Sequence, residues 1–342
     1  MPPKNKPDTS GLDKLKKDLS AGRPGQLYIF HGEETYLRDH YLDRLRETLL
    51  TGGLGEFNRH DLSARDMSPH ALEEAVDCLP MMAERTLVLV TDFDLFKAGE
   101  KEEYARILSH LPGYCCLVFL YDVLEYKPDA RTKLAAAIRE HGTTVNFARQ
   151  SPRELADWVR RHFKAQGKEI DGRLCEELIF LCGDLMHNLQ QEISKIAAYA
   201  KGPCVTRADI EAVATPQLSA IVFRIADAVG EKNYDKALSV LGELYQMQKS
   251  PYEIMSALGK QMRQLYSARL ALAGGKGAAW VSQLWGMRYP ADRLMASARR
   301  FSLSWCRRAV IRCAQTDLAM KSTGQDPKEL MTTLLLELAN TT

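Results

Sequence analysis

The turn after the first apolar run is the place where this chain could hold a phosphate group. Leu27–Phe30 (LYIF) predicts a buried strand, and His31–Leu37 (HGEETYL) leads from it into a predicted helix. A Walker A loop would need a glycine-rich nest of backbone N–H groups, a lysine for the β and γ phosphates and a hydroxyl for magnesium. Only Gly32 stands in a matching place, and Glu33 and Glu34 would repel phosphates. We therefore expect a protein that binds no nucleotide and no other cofactor.

The remaining polar groups do not form a familiar reactive site. Asp92 and Asp122 follow later apolar runs, where an acid could bind magnesium, but without a phosphate-binding loop Asp122 is interpreted as a residue that caps its own loop. The eight cysteines include no CxxC pair, and the spacing of Cys175 and Cys182 lacks the histidines of a zinc site. No Ser/His/Asp order or Cys/His pairing stands out. The sequence predicts no metal site and no intrinsic catalytic site.

One loop carries two adjacent methionines between a predicted helix and the clearest predicted strand. Ser68–Pro69 opens the helix with a capping residue followed by proline, which is the preferred order. Pro80 ends it, so Met81 and Met82 fall in a loop before Thr86–Val90 (TLVLV). Methionine is common at adaptable protein-binding surfaces. From these residues alone, packing into the core and anchoring a partner are equally open.

The first 150 residues alternate between predicted strands and helices. The predicted strands are Leu27–Phe30, Phe57–Leu62, Thr86–Val90, Cys115–Tyr121 and Thr143–Phe147. The continuous apolarity of Thr86–Val90 and Cys115–Tyr121 is typical of a parallel sheet that lies between helical layers. After Gln150 only helical patterns follow, beginning with a capping box at Ser151–Glu154. The predicted fold class is α/β plus all-α: an α/β domain over residues 1–150, a small helical domain over 151–215 and a larger helical domain over 216–342.

Composition excludes some classes of protein. A formal net charge of +2 over 342 residues does not by itself indicate nucleic-acid binding. The basic clusters Arg160–His162, Arg299–Arg300 and Arg307–Arg308 are more typical of solvated helix faces than of phosphate contacts. No stretch approaches 18 uninterrupted apolar residues, so no membrane span is predicted. Met1–Pro7 lacks the hydrophobic core of a secretory signal, and a cytoplasmic location is expected.

Four segments, in order along the chain, resemble the delta subunits of bacterial DNA polymerase III clamp loaders. They are LYIFHGEETYLRDHYLDRLRETLL from Leu27, LPMMAERTLVLV from Leu79, ELADWVRRHFKAQG from Glu154 with GDLMHNLQQEISKIAAYA from Gly183, and TDLAMKSTGQDPKELMTTLLLEL from Thr316. The third segment has Asn188, Glu192 and Lys195 in matching order, and the fourth has Asp317, Lys321 and Gly324. The likeness extends over most of the chain.

This resemblance implies an AAA+-like architecture without ATP hydrolysis. It implies a clamp-binding α/β domain (1–150), a lid-like helical domain (151–215) and a collar domain for assembly (216–342). The implied partners are the beta sliding clamp, delta-prime, the ATPase (gamma/tau) subunits and primer-template DNA. In this family an apolar loop enters a pocket on the clamp and helps to open the ring. The residues that match its anchors are Leu79, Met81 and Met82, although Leu-Phe or aromatic pairs are commoner at the last two positions. The holoenzyme is a DNA-directed DNA polymerase, but no catalytic site is expected in this subunit.

Two other functions remain open from the sequence. The chain could be another AAA+-related replication or repair factor, with a degenerate loop that still binds nucleotide, and a measurement of ATP binding separates that case. It could also be a helical scaffold protein in which the α/β part is only an anchor, although no repeat with a period of 34 to 47 residues is visible. Binding to other partners but not to the clamp would favour the scaffold.

Overall fold

The computed structural model describes residues 9–50, 55–287 and 291–340. Met1–Pro7 lies outside these ranges, and so does most of the run Gly52–Gly55, which the sequence predicts as the end of the helix that follows Leu27–Phe30. The chain divides into two compact units, Met1–Gln150 with Leu185–His187, and Ser151–Asp184 with Asn188–Thr342. The division into three domains at 150 and 215 stays a prediction.

The first unit is built on a parallel sheet. Its strands are β1 Leu27–His31, β2 Arg59–Ser63, β3 Thr86–Thr91, β4 Cys115–Leu120 and β5 Thr143–Asn146, and their order in the sheet is β2-β3-β4-β1-β5. Its helices are α1 Ser10–Ser20, α2 Thr35–Leu49, the 3-10 helix Gly55–Asn58, α3 Pro69–Asp77, α4 Lys101–Ser109 and α5 Lys133–His141. The α/β class predicted for this part of the chain is confirmed.

Helices cover both faces of the sheet. On one face, α1 and α2 pack against Tyr28, Phe30 and the other residues of the same strand faces. On the opposite face, α3, α4 and α5 pack against Leu27, Ile29 and their neighbours across the sheet. Since successive strand residues point to opposite faces, this arrangement explains why β1, β3 and β4 are apolar without alternation. These three strands are buried on both sides, as the sequence predicts.

The second strand is shorter than predicted. It begins at Arg59, which pairs with Leu87 of β3, and not at Phe57. Residues 55–58 form a turn of 3-10 helix, and Asn58 hydrogen-bonds with its side chain to a distant loop. Phe57 and Asn58 therefore lie just before the amino end of the edge strand.

The second unit is helical. Its elements are α6 Pro152–Ala165, α7 Gly172–Cys182, α8 Met186–Tyr199, α9 Arg207–Val213, α10 Leu218–Gly230, α11 Tyr234–Gln246, α12 Pro251–Ala273, α13 Ala278–Trp285, α14 Asp292–Ala298, α15 Leu303–Ser322 and α16 Pro327–Asn340. The capping box predicted at Ser151 and Glu154 is present, and Thr206 with Asp209 forms a second one. One apolar core, which includes Leu258, Met262 and Leu265 of α12, extends from α10 to α16.

Candidate functional site

The loop between α3 and β3 presents three apolar side chains to solvent. Helix α3 ends at Asp77 and β3 begins at Thr86. In between, Leu79 is 74% exposed, Met81 56% and Met82 87%. None of the three packs into the core of the free chain, so the alternative of core packing is wrong. An exposed apolar cluster of this kind is typical of a surface that binds another protein.

A buried side chain from another segment holds the middle of this loop. The Asn58 amide donates through Nδ2 to the Met81 carbonyl oxygen at 3.0 Å, and its Oδ1 accepts from the Met81 N–H at 2.6 Å. Asn58 itself is only 2% exposed. Because both polar groups of the Met81 backbone are bound by one planar amide, the loop has a defined conformation before any partner arrives.

Two further side chains hold the ends of the loop. The Tyr114 hydroxyl donates to the carbonyl oxygen of Asp77 at 3.0 Å, where α3 ends. At the other end, the Arg85 guanidinium donates to the carbonyl oxygens of Pro24, of Gly25 at 3.1 Å and of Cys115 at 3.2 Å. No local sequence pattern identifies these supporting residues, because their partners lie 23 to 61 residues away along the chain.

The backbone at Met82 has an unusual conformation. Its φ of 52° lies in the left-handed region, which a residue with a Cβ adopts only at an energetic cost. Such a conformation persists where the surrounding structure enforces it, and it is common at binding sites. Met82, the most exposed of the three apolar residues, therefore has a strained backbone and directly follows Met81, whose backbone Asn58 holds.

A cleft lies beside the start of the loop. It has a volume of about 510 Å³, and its lining comes from β2 and α3: Arg59, His60, Asp61, Leu62, Ala71, Glu74, Ala75 and Cys78. On β2 the Arg59 guanidinium donates two hydrogen bonds to the Asp61 carboxylate, and the pKa of Arg59 is raised chiefly by its hydrogen bonding to that carboxylate. The charged pair lies on the edge strand, where charged side chains discourage strand pairing with other chains.

The turn after β1 packs closely against the backbone at Phe147. A Cβ on Gly32, which has a φ of 126°, would lie 2.5 Å from the Phe147 carbonyl oxygen. The Glu34 N–H donates to that same oxygen at 2.9 Å. Glu33 pairs with Arg149 at 3.0 Å. Gly32, Glu33 and Glu34 therefore all make close contacts or bonds within the chain.

An internal ion pair lies at the carboxyl ends of the strands. Arg38 of α2 donates through Nη1 to Oδ1 of Asp122 at 2.6 Å, and the Arg38 side chain is only 6% exposed. The interpretation of Asp122 as a loop cap is wrong. Asp92 has that role, because its Oδ1 accepts from the N–H groups of Asp122 and Val123, both at 2.9 Å. The mistake arises because Arg38 and Asp122 are 84 residues apart in the sequence.

Six of the eight cysteines are buried, and Cys78 and Cys204 are exposed. Burial raises the pKa of the Cys115 thiol to about 11 and that of the Cys116 thiol to about 12. Thiols held in the neutral form are poor metal ligands and poor nucleophiles. Within residues 9–50, 55–287 and 291–340, no group of three or more His, Cys, Asp or Glu side chains could hold a metal ion.

Comparison with known proteins gives the same family for both halves of the chain. Residues 28–148 match the model of the DNA polymerase III delta subunit, and residues 219–338 match the model of its C-terminal domain. The DNA polymerase III subunit delta of Bacillus subtilis is 25% identical over 334 residues, which is 94% of this chain and 95% of that protein. The chain belongs to the DNA polymerase III delta subunit family. The probable delta subunit of Aquifex aeolicus is 25% identical over 71% of each chain.

A solved structure supports the fold. The DNA clamp loader delta protein of Bacillus subtilis superimposes with a TM-score of 0.63 at 21% identity, over 96% of this chain and 99% of that one. The chain thus has the AAA+-like fold of the delta family, a parallel-sheet domain followed by helices. In the described part of the chain, no single helix is long and apolar enough to cross a membrane, and the bent pair of α9 and α10 meets those criteria only when the two are taken together.

The residues that carry the resemblance in the helical unit form local bonds. Lys195 pairs with Glu192 at 2.8 Å and donates to the Thr215 hydroxyl at 2.9 Å, while Glu192 accepts from the Thr215 N–H at 3.1 Å. Near the end of α15, Lys321 pairs with Asp317 at 2.7 Å. These delta-family positions therefore stabilise helix ends and connections in this chain.

Two of the basic clusters are partly neutralised. Arg160 pairs with Asp157 at 3.1 Å, and Arg300 pairs with Glu231 at 3.0 Å. Both pairs are about half exposed, a setting in which an ion pair contributes little to stability. Such exposed ion pairs are typical of solvated helix faces, which is what the sequence predicts for these basic clusters.

Proposed function

We propose that this chain binds the beta sliding clamp through Leu79, Met81 and Met82 and helps to open the clamp for loading onto primed DNA. The observation that carries the proposal is the exposure of all three apolar side chains on a loop that Asn58 holds in place. A loop that is fixed before docking loses less conformational entropy when it binds. A rigid loop can also transmit force to the clamp ring, whereas a flexible loop would deform.

The chain works in this proposal without ATP hydrolysis of its own. The closed turn at Gly32 and the Arg38–Asp122 pair support that part, because both occupy groups that a nucleotide or its magnesium ion would need. The energy for loading then comes from ATPase (gamma/tau) subunits in the same complex. No catalytic residue is proposed in this chain.

Assembly with delta-prime and the ATPase subunits is assigned in this proposal to the collar domain, residues 216–342. That region has its own apolar core and still leaves large apolar side chains in solvent. Ile311 and Leu318 on α15 are 46% and 65% exposed, and Leu336 on α16 is 46% exposed. Residues 151–215 would serve as the lid-like domain, and primer-template DNA would be bound only in the assembled complex.

Binding to purified beta clamp tests the proposal. The full chain and the clamp are mixed at micromolar concentrations and separated by size-exclusion chromatography, and we expect them to elute together. In parallel, the chain is titrated with ATP by calorimetry, and no heat of binding is expected. Elution apart from the clamp, together with binding to the other loader subunits, would favour a scaffold. Micromolar ATP binding would favour a different AAA+-related factor.

A further inference from the structure

An exposed aromatic side chain lies in the segment that supports the loop. Phe57 is 65% exposed and directly precedes Asn58. Single exposed apolar side chains are common on protein surfaces and need no explanation by themselves. Phe57 differs because its neighbour is bonded through the side chain to Met81. Phe57 and Met81 are thereby held in one local structure.

The pairing of β2 with β3 places the two segments at the same edge of the sheet. Arg59 pairs with Leu87 in the parallel register. Phe57 comes two residues before Arg59, and the loop with Met81 and Met82 comes shortly before Leu87. Both segments therefore lie beyond the amino ends of neighbouring strands, which in a parallel pair are about 4.8 Å apart.

The side-chain amide of Asn58 is suited to hold the loop at Met81 in one conformation. Its amide presents a donor and an acceptor side by side, and the Met81 backbone uses both. Aspartate has the same shape but no donor, so it would place a negative oxygen against the Met81 carbonyl. The side chain is buried, whereas the residues on either side of this link, Phe57 and Met82, are exposed.

We propose that Phe57 is a fourth anchor for the beta clamp and that Asn58 is the positioning residue that joins Phe57 and the methionine loop into one binding surface. This proposal rests on the proposed function, because the clamp is the partner in both. Continuity with the clamp-binding loop is what selects this occupant. Phenylalanine and methionine both suit an apolar pocket, and an aromatic side chain is a frequent hot spot at protein interfaces.

The first test is the variant Phe57→Ala in the full chain, with clamp affinity measured by surface plasmon resonance and melting followed by circular dichroism. We expect the affinity to fall about 5- to 30-fold, from the apolar surface that becomes buried on binding. The melting temperature should stay the same, since the side chain is mostly exposed. Val123→Ala is the matched control. Val123 is 85% exposed, but it follows the carboxyl end of β4, whereas Phe57 lies near the amino ends of the strands. Its replacement should leave the affinity for the clamp unchanged.

The second test asks whether Asn58 acts through the loop. Asn58→Asp is made in the natural chain and in the double variant Met81→Ala/Met82→Ala. In the natural chain we expect a loss of affinity of at least about 5-fold, and in the double variant no further loss. Equal losses in both backgrounds would mean that Asn58 supports only the general fold, and would overturn its assignment.

The outcomes distinguish this proposal from the one on which it rests. If the double methionine variant loses affinity but Phe57→Ala keeps it, Phe57 is not an anchor and the proposed function stands. If the natural chain does not bind the clamp at all, both proposals are wrong. If Phe57→Ala and Val123→Ala weaken binding equally, the effect is not local to this surface and the proposal fails.

Discussion

Replacing Met81 and Met82 together by alanine should separate clamp binding from folding. The two side chains are 56% and 87% exposed, which together amounts to about 1.4 fully exposed side chains. Burial of one such side chain contributes about 1.5 to 3 kcal/mol, so the double variant should lose roughly 2 to 4 kcal/mol of binding free energy. That corresponds to a clamp affinity about 30- to 700-fold weaker. The assay is a titration of purified clamp, with thermal melts on the same samples.

The free energy of unfolding provides the opposing test. A buried methionine loses about 2 to 5 kcal/mol when it is cut to alanine, whereas these exposed ones should lose less than about 1 kcal/mol. A variant that melts far below the natural chain, or one that binds the clamp with native affinity, would refute the reasoning.

Glycine at position 82 sharpens this prediction. Met82 has a φ of 52°, a conformation that glycine adopts freely and alanine does not. Met82→Gly should therefore raise the free energy of unfolding by about 1 kcal/mol while it weakens clamp binding at least as much as Met82→Ala. Opposite changes in stability and affinity at one residue cannot come from general damage to the fold. A fall in both stability and affinity would contradict this prediction.

Three further predictions concern the rest of the chain. Calorimetry with ATP up to millimolar concentration should show no binding, and a dissociation constant in the micromolar range would contradict the closed turn at Gly32. Ending the chain after Thr215 should abolish co-elution with delta-prime and the ATPase subunits while clamp binding survives; a shortened chain that still joins the complex would refute the assignment of the collar. Burial raises the pKa of Cys115 and Cys306 to about 11, so the unfolded chain loses these thiol protons at lower pH than the folded chain does. The free energy of unfolding should therefore be insensitive to the thiols below pH 9 and should fall as pH rises toward and through 11. Urea titrations at pH 8 and pH 10.5 would measure the difference, and equal stabilities would count against buried neutral thiols.

The sequence predicts the fold well wherever the signal is local. TLVLV and CCLVFLY are apolar and β-branched enough to identify β3 and β4 without other information, and Ser151 with Glu154 marks the start of α6 by its spacing alone. The long helix Pro251–Ala273 begins at a proline and ends before Gly274, which are local signals of the same kind. Each of these features depends on residues a few positions apart.

What the sequence does not reveal depends on contacts between distant residues. Asn58 has no periodic or motif signal, and its partner Met81 is 23 residues away. Phe57 is an aromatic residue and is predicted to begin a strand, although it lies in a 3-10 turn. The exposure of Met81 and Met82 also depends on the way β2 and β3 align, which local pattern cannot give. The loop sequence and the resemblance identify Leu79, Met81 and Met82 as candidate anchors. The side chains that hold their loop in place are visible only in the structure.

The pair formed by Arg38 and Asp122 has a consequence for how the α/β domain responds to its surroundings. In a protein that binds nucleotide at this edge of the sheet, stability rises with the concentration of the ligand by mass action. Here the corresponding charges are covalently part of the chain, with Nη1 of Arg38 2.6 Å from Oδ1 of Asp122. Their contribution is present at every concentration of nucleotide and cannot dissociate. The stability of the domain is therefore expected not to change with the concentration of nucleotide.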